Sequence, residues 1–126
     1  MADRALDRFG EFLMTRVRDE AIADWDMIVG GDMKDAHSQR IAATLKRLSP
    51  DVQRLIGDLI PKIVDTTMHH LLWALNQEED SVQVHVEDDS GDLVNVNERS
   101  DGLPGELYEW LPRFSRQRFT NPADET

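Results

Sequence analysis

The sequence predicts an α+β domain that is mainly α, a helical bundle with one β-hairpin and a short C-terminal helix. Apolar residues recur at helical spacing through residues 3–77, which indicates long amphipathic helices. Valines alternate with polar residues in residues 81–97, which is the pattern of a hairpin. The 126 residues are enough for one domain, which we assign to residues 1–114. Residues 115–126 are predicted to form a flexible basic tail.

The first predicted helix spans residues 3–29 and ends at Gly30-Gly31, because glycine adopts the left-handed conformation of a helix C-cap without strain. Asp32 is expected to cap a second helix, about residues 33–48. The apolar positions that should face the core are Leu6, Phe9, Leu13, Val17, Ala21 and Ile28 in the first helix, and Ile41, Leu45 and Leu48 in the second.

A third helix is predicted for residues 50–77. It begins at the Ser-Pro-Asp of residues 49–51, which supplies a hydroxyl cap, a proline in the first position and an acid in the first turn. Pro61 interrupts it, because a proline lacks the N–H that would bond the carbonyl of Gly57. The apolar face also rotates by roughly a quarter turn across Pro61. We therefore expect either two helices meeting at a kink or one bent helix.

The valines of the predicted hairpin are Val82, Val84, Val86, Val94 and Val96. Placing all of them on one face pairs Val84 with Val94. This register leaves residues 87–91 as the loop, with Gly91 at positive φ. A short helix is then predicted for residues 106–111, where a proline follows and stops it.

Composition excludes several classes of function. The chain has no cysteine, so it can form no disulfide, thiolate metal site or cysteine nucleophile. Asp and Glu outnumber Lys and Arg by 25 to 14, and the resulting charge of −11 disfavours binding of bare nucleic acid. The sequence shows no secretory signal, and its apolar runs fall far short of the roughly 20 residues that cross a bilayer. We expect a cytoplasmic protein with no cofactor.

The negative charge is concentrated in one part of the chain. Residues 1–75 hold 12 acids and 10 bases, a net charge of −2. Residues 76–112 hold 11 acids and one base, a net charge of −10, whereas residues 113–126 carry +1. A concentrated acidic surface attracts basic proteins and speeds their association.

The leading functional hypothesis is therefore a non-enzymatic protein-binding domain that receives a basic partner. Trp73 sits on an outward stripe of its helix and could anchor such a partner, although we favour the interpretation that the hairpin or the short helix covers it. The residues predicted to bind the partner are Glu87, Asp88, Asp89, Asp92, Glu98, Asp101, Trp73 and Tyr108.

Two alternatives stand beside this hypothesis. One is a homodimer formed through the long helices or through the free edge of the hairpin. The other is a metal-dependent enzyme that uses Asp65, His69 and His70, since Asp65 and His69 are four residues apart and share a helix face. Spacing supplies no third ligand and no catalytic motif is present, so a polar face with ordinary histidines is favoured over a metal site.

Residues 102–111 (GLPGELYEWL), together with the hairpin and residues 67–73 (TMHHLLW), resemble a family of small uncharacterised bacterial proteins. The resemblance covers most of the chain and implies no activity and no site residues. In size, acidity and lack of cysteine the chain is also similar to bacterial immunity proteins, which neutralise basic toxins. This likeness implies binding of a basic partner and assigns no residue to it.

Overall fold

The computed structural model describes residues 4–119, and the fold is α+β and mainly α, as predicted. In this part of the chain no helix combines the length and the apolar character needed to cross a membrane. The elements in order are α1 (Arg4–Phe12), a π-helical segment (Leu13–Arg18), α2 (Asp19–Gly30), α3 (Ala36–Leu45), α4 (Pro50–Gln77), β1 (His85–Glu87), β2 (Leu93–Asn95), a 3₁₀ turn (Val96–Arg99) and α5 (Leu103–Phe114).

The core lies where α1, the second half of α4 and α5 meet. Trp110 of α5 is fully buried at its centre and meets Phe9 edge to face, with ring centroids 5.8 Å apart. The ring lies directly over Gly10, where a Cβ atom would come within 2.5 Å of the indole. Helix α1 therefore approaches α5 closely because residue 10 has no side chain. The remaining members of this cluster are Leu6, Leu13, Met14, Met68, Leu72, Leu75, Val96, Leu103, Leu107 and Leu111.

Residues 4–30 form one continuous helical rod, as predicted, but the π-helical segment changes which side chains face inward. Met14, Arg18 and Ile22 are fully buried, whereas Val17 is 38% exposed, so the prediction that Val17 faces the core is wrong. A π-helical turn contains more than the 3.6 residues of an α-turn, so the next residue that faces the core comes later in the sequence. The buried positions then recur every four residues. Gly31 ends the rod at φ 82°, as its predicted C-cap role requires.

Helix α3 begins later than predicted, because Asp35 and not Asp32 is its cap: the Asp35 carboxylate accepts from the Ser38 N–H at 3.0 Å. Helix α4 begins at its predicted cap, where the Ser49 hydroxyl accepts from the Val52 N–H. It continues without a break through Pro61, so the prediction of two separate helices is wrong and α4 is one helix, whose predicted bend stays a prediction.

The hairpin forms within the predicted residues 81–97, but its strands have only three residues each, Val82 lies outside them and is 53% exposed, and the register differs by two residues. Val86 pairs with Val94, and the prediction that Val84 pairs with Val94 is wrong. The turn decides the register, because one Asp88 carboxylate oxygen accepts from the N–H groups of Ser90 and Asp92 and so closes a later loop. Gly91 takes φ 84° there, as predicted.

Helix α5 is longer than the predicted residues 106–111. Helix α5 runs past Pro112, which sits in its last turn. Ser115, Arg116 and Arg118 are hydrogen-bonded to the body of the protein. Residues 120–126 lie outside the described part, and the flexibility predicted for residues 115–126 stays a prediction. The Arg118 guanidinium binds both carboxylate oxygens of Asp26 at 2.8 and 2.9 Å, and this contact raises its pKa. It also donates at 2.8 Å to the Gly57 carbonyl, which Pro61 leaves without a helical donor.

Candidate functional site

The Asp65 carboxylate, one of the predicted metal ligands, is engaged by Arg18. The Arg18 side chain is fully buried, and its Nε and Nη2 donate to the two Asp65 oxygens at 2.5 and 3.1 Å. Its other donors reach the Ser115 hydroxyl and the Arg118 carbonyl, both at 2.8 Å. Asp19 completes the network by accepting from Ser115 Oγ at 2.7 Å. Asp65 therefore balances a buried charge and joins α4 to the C-terminal segment.

The two histidines do not complete a metal site with Asp65. Their rings meet edge to face, with centroids 5.6 Å apart; His69 is half-buried and His70 is exposed. The His69 Nδ1 atom is buried and has no hydrogen-bond partner among the described residues. Within residues 4–119 no group of three or more His, Asp or Glu side chains is arranged to hold a metal ion. The arrangement predicted from Asp65, His69 and His70 is therefore not formed.

The structure places four of the predicted partner-binding acids together at the hairpin tip, where they differ in availability. Asp88 is used by its own turn. Asp89 forms ion pairs at 3.3 Å with both Arg4 and Arg8, which fasten the tip to α1. The remaining predicted acids are all exposed: Glu87 and Asp92 at the tip, and Glu98 and Asp101 in the segment before α5.

The two predicted aromatic anchors lie on different helices. Tyr108 is 50% exposed on α5, and Trp73 is 50% exposed on α4. The interpretation that the hairpin or the last helix covers Trp73 is therefore wrong. The hairpin misses it because β1 packs against α1. The predicted site is thus divided among the hairpin, the segment that follows it, α4 and α5.

A surface that the sequence analysis did not identify lies at the other end of α4. Helices α2, α3 and the first half of α4 enclose an open groove of about 300 Å³. Every side chain that lines it is apolar. We define the apolar face as these lining residues plus the adjacent Val52 and Leu55: Trp25, Val29, Ile41, Leu45, Val52, Leu55, Ile56, Leu59, Ile60, Ile63 and Val64.

The apolar face remains open because α3 packs against α2 and leaves the neighbouring side of α4 uncovered. Ile63 is 62% exposed, Leu55 56% and Trp25 46%. Ile41 and Leu45, predicted to face the core, line the groove and are only half-buried. The exposed fractions of the whole face correspond to on the order of 600 Å² of apolar surface, at the upper end of what a monomeric protein shows in one patch.

The outward side of α4 continues this surface to Trp73. Residues spaced three and four apart share one side of a helix. Leu55, Leu59 and Ile63 therefore lie on the same stripe as Thr66, His70 and Trp73, and the stripe follows most of a helix about 40 Å long. The sequence contained a signal for this exposed apolar surface. The quarter-turn rotation of the apolar positions at Pro61 reflects a first half that faces the groove and a second half that faces the core.

Comparison of the chain with known proteins found no relative: no protein-family model, no curated protein sequence and no solved structure matches it significantly.

Proposed function

We propose that this chain is a non-enzymatic protein-binding domain and that its principal binding surface is the apolar face. The observation that carries the proposal is the exposure of Leu55, Leu59 and Ile63 beside a groove lined only by apolar side chains. Water contact with such a surface is unfavourable by about 25 cal/mol per Å² of apolar area. A surface of this size is therefore stabilised by a protein partner that covers it.

The composition of the groove favours a protein over a small molecule. Binding sites for small molecules combine apolar walls with a few convergent polar groups that orient the ligand. The groove between α3 and α4 has no polar side chain in its lining. The centre of a protein–protein interface, in contrast, is depleted of charge and rich in aromatic and aliphatic contacts.

The acidic residues form a second candidate surface, for a basic partner. It is supported by the exposure of Glu87, Asp92, Glu98 and Asp101, and by the contacts of Arg4 and Arg8 that hold the hairpin tip in place. A fixed acidic surface accelerates encounter with a basic protein, and the effect falls as salt screens the charges.

The test is affinity capture from a bacterial lysate with paired baits. The variant Leu55→Ser, Ile63→Ser removes apolar contacts from the face, and Leu93→Ser is the matched control because Leu93 is 67% exposed on the hairpin. We expect a protein, either an untagged copy of this chain or another protein, that wild type and the control retain and that the double variant loses at both low and high salt. A variant with Asp92, Glu98 and Asp101 changed to Asn or Gln tests the acidic surface. Wild type should retain a partner of that surface at low salt and lose it at high salt, and the variant should not retain it at either salt.

A stability measurement separates a binding surface from a folding requirement. Measured at a concentration at which the chain is monomeric, Leu55→Ser, Ile63→Ser should leave the free energy of unfolding within about 1 kcal/mol of wild type, since both side chains are already exposed. Leu72→Ala, at a fully buried position, should cost about 2–5 kcal/mol. A loss for the double variant as large as that for Leu72→Ala would show that the face serves folding and would refute the proposed function.

A further inference from the structure

The apolar face needs a partner, and the described chain has no spare segment to provide one. The residues outside the described part are Met-Ala-Asp at 1–3 and Thr-Asn-Pro-Ala-Asp-Glu-Thr at 120–126. Neither segment contains a leucine, isoleucine, valine or aromatic residue. A segment that fills an apolar groove needs such side chains at regular spacing, so neither of these two segments suits the apolar face as its occupant.

On the basis of the proposed function, we propose that this occupant is a second copy of the chain, which packs its α4 antiparallel against α4 of the first. The face is self-complementary, as a twofold interface requires. Leu55, Leu59 and Ile63 form a ridge on α4, and the groove toward Ile41 and Leu45 runs directly alongside that ridge. A twofold rotation sets the ridge of each copy into the groove of the other, which is the usual way that two helices pack.

The available area fits a stable dimer. A standard protein–protein interface buries about 800 Å² on each partner. The apolar face supplies on the order of 600 Å², and the continuation of the stripe to Trp73, which is 50% exposed, brings the total to about 700 Å², within the usual range for one partner. The groove volume of about 300 Å³ is twice that of the roughly 150 Å³ cavity that accepts a benzene ring, so it has room for side chains of the partner ridge.

The charge distribution allows two acidic chains to meet in this way. Residues 19–64, which contain all the elements of the apolar face, hold eight acids and six bases, a net charge of −2. The block with a charge of −10 begins at residue 76 and belongs to the hairpin and α5. Contact through the first half of α4 therefore joins nearly neutral surfaces, and the remaining repulsion is screened over about 10 Å at physiological salt.

The free edge of the hairpin is a weaker route to a dimer. Each strand contains three residues, so pairing of two hairpins adds only a few hydrogen bonds. Three-residue strands are also short enough to protect a sheet edge from such pairing.

The mass in solution tests the proposal. Light scattering at about 100 µM should give 28.8 kDa, twice the chain mass of 14.4 kDa. Ile63→Glu places two like charges in the contact and should raise the dimer dissociation constant about 100-fold, so that this variant scatters as a monomer at low micromolar concentration. Leu93→Glu, the same change on an exposed leucine of the hairpin, should leave the dimer intact.

Circular dichroism must show that both variants keep their helices, and Leu55→Glu replaces Ile63→Glu if the latter does not fold. A second measurement uses the absence of cysteine from the chain. Single cysteines placed in turn at Leu59, Ile63 and Thr66 sample the stripe near a twofold axis, and at least one should form an intermolecular disulfide under mild oxidation. Leu93→Cys, away from the stripe, should form none.

Three results overturn the proposal: a monomeric wild type at 100 µM, a dimer that survives Ile63→Glu, or a dimer that Leu93→Glu disrupts equally. Each leaves the proposed function standing, because the apolar face then serves a different protein. The proposed function itself fails separately, through the loss of monomer stability that Leu55→Ser, Ile63→Ser would show if the face were part of the folding core.

Discussion

Removal of the Asp65 carboxylate tests whether the buried Arg18 network holds the fold together. In Asp65→Ala the fully buried guanidinium loses its contacts with that carboxylate, at 2.5 and 3.1 Å. It keeps the neutral acceptors Ser115 and the Arg118 carbonyl, and the Asp19 carboxylate at 3.7 Å remains as a weaker ion-pair partner. A buried ion pair broken on one side costs about 3–5 kcal/mol. Because the Asp65 side chain is 22% exposed, water can replace part of the contact, so we expect about 3 kcal/mol, the lower end of that range.

Urea denaturation followed by far-UV circular dichroism measures this loss, at one chain concentration for all variants because a dimer would make stability concentration-dependent. A loss of this size corresponds to a fall in melting temperature of roughly 10 °C for a domain of this length. Asp58→Ala, an exposed aspartate on the same helix, should change stability by no more than about 0.5 kcal/mol.

A double variant shows whether the cost comes from the buried Arg18 charge that has lost its Asp65 partner. Arg18→Met combined with Asp65→Leu replaces the pair by apolar side chains of similar size and should recover most of the stability lost in Asp65→Ala. The reasoning is refuted if Asp65→Ala costs less than about 1 kcal/mol, or if the double variant is as unstable as the single one.

Two further predictions concern glycine and a helix cap. Gly10→Ala should lower the free energy of unfolding by about 3 kcal/mol, because its Cβ would meet the buried Trp110 indole at 2.5 Å. Gly57→Ala, with open space around its Cβ, should raise the free energy of unfolding by about 0.5–1 kcal/mol. If both variants shifted the melting temperature in the same direction, this prediction would be contradicted. The hydrogen bonds from Ser38 lower the pKa of Asp35 from its ordinary 3.8, so the stabilisation that this cap provides is present above that value and is lost as the pH falls through the lower pKa of the folded state. An NMR titration should show the Asp35 pKa below 3.8 in wild type and closer to it in Ser38→Ala, and a wild-type value above 3.8 would show that the cap is not formed in solution.

Features that depend on a few neighbouring residues could be predicted from the sequence. The start of α4 follows from Ser49 and Pro50, the end of α2 follows from Gly31, and the hairpin turn contains Gly91 at positive φ as expected. Each is decided by local backbone conformation or by a hydrogen bond within one turn.

The register of the hairpin could not be fixed by the valine pattern. A shift of two residues keeps every valine on the same face, so the pairings of Val84 and of Val86 with Val94 satisfy the pattern equally. The choice depends on Asp88, whose carboxylate caps the turn, and on Arg8, which donates to the Glu87 carbonyl at 2.9 Å from another helix. The second contact is tertiary, and alternation alone cannot reveal it.

The candidate site was missed for a related reason. The apolar residues of α4 cover more than one side of the helix, and the sequence does not state which side meets another element of the same chain. Met68 and Leu72 are buried by α1 and α5, whereas Leu59 and Ile63 are left open because α3 packs against α2. The same uncertainty about tertiary contact hid the partner of Asp65: Arg18 lies 47 positions earlier, on a helix whose inward face a π-helical segment had shifted.

The bond from Arg118 to the Gly57 carbonyl has a consequence for how this sequence can vary in evolution. With any residue other than proline at position 61, a backbone N–H satisfies that carbonyl, and the bond from the guanidinium is no longer needed for this purpose. A chain that keeps Pro61 but lacks an arginine at 118 leaves the carbonyl to solvent in the middle of its longest helix. Positions 61 and 118 are therefore expected to change together among descendants of this gene, although 57 residues separate them.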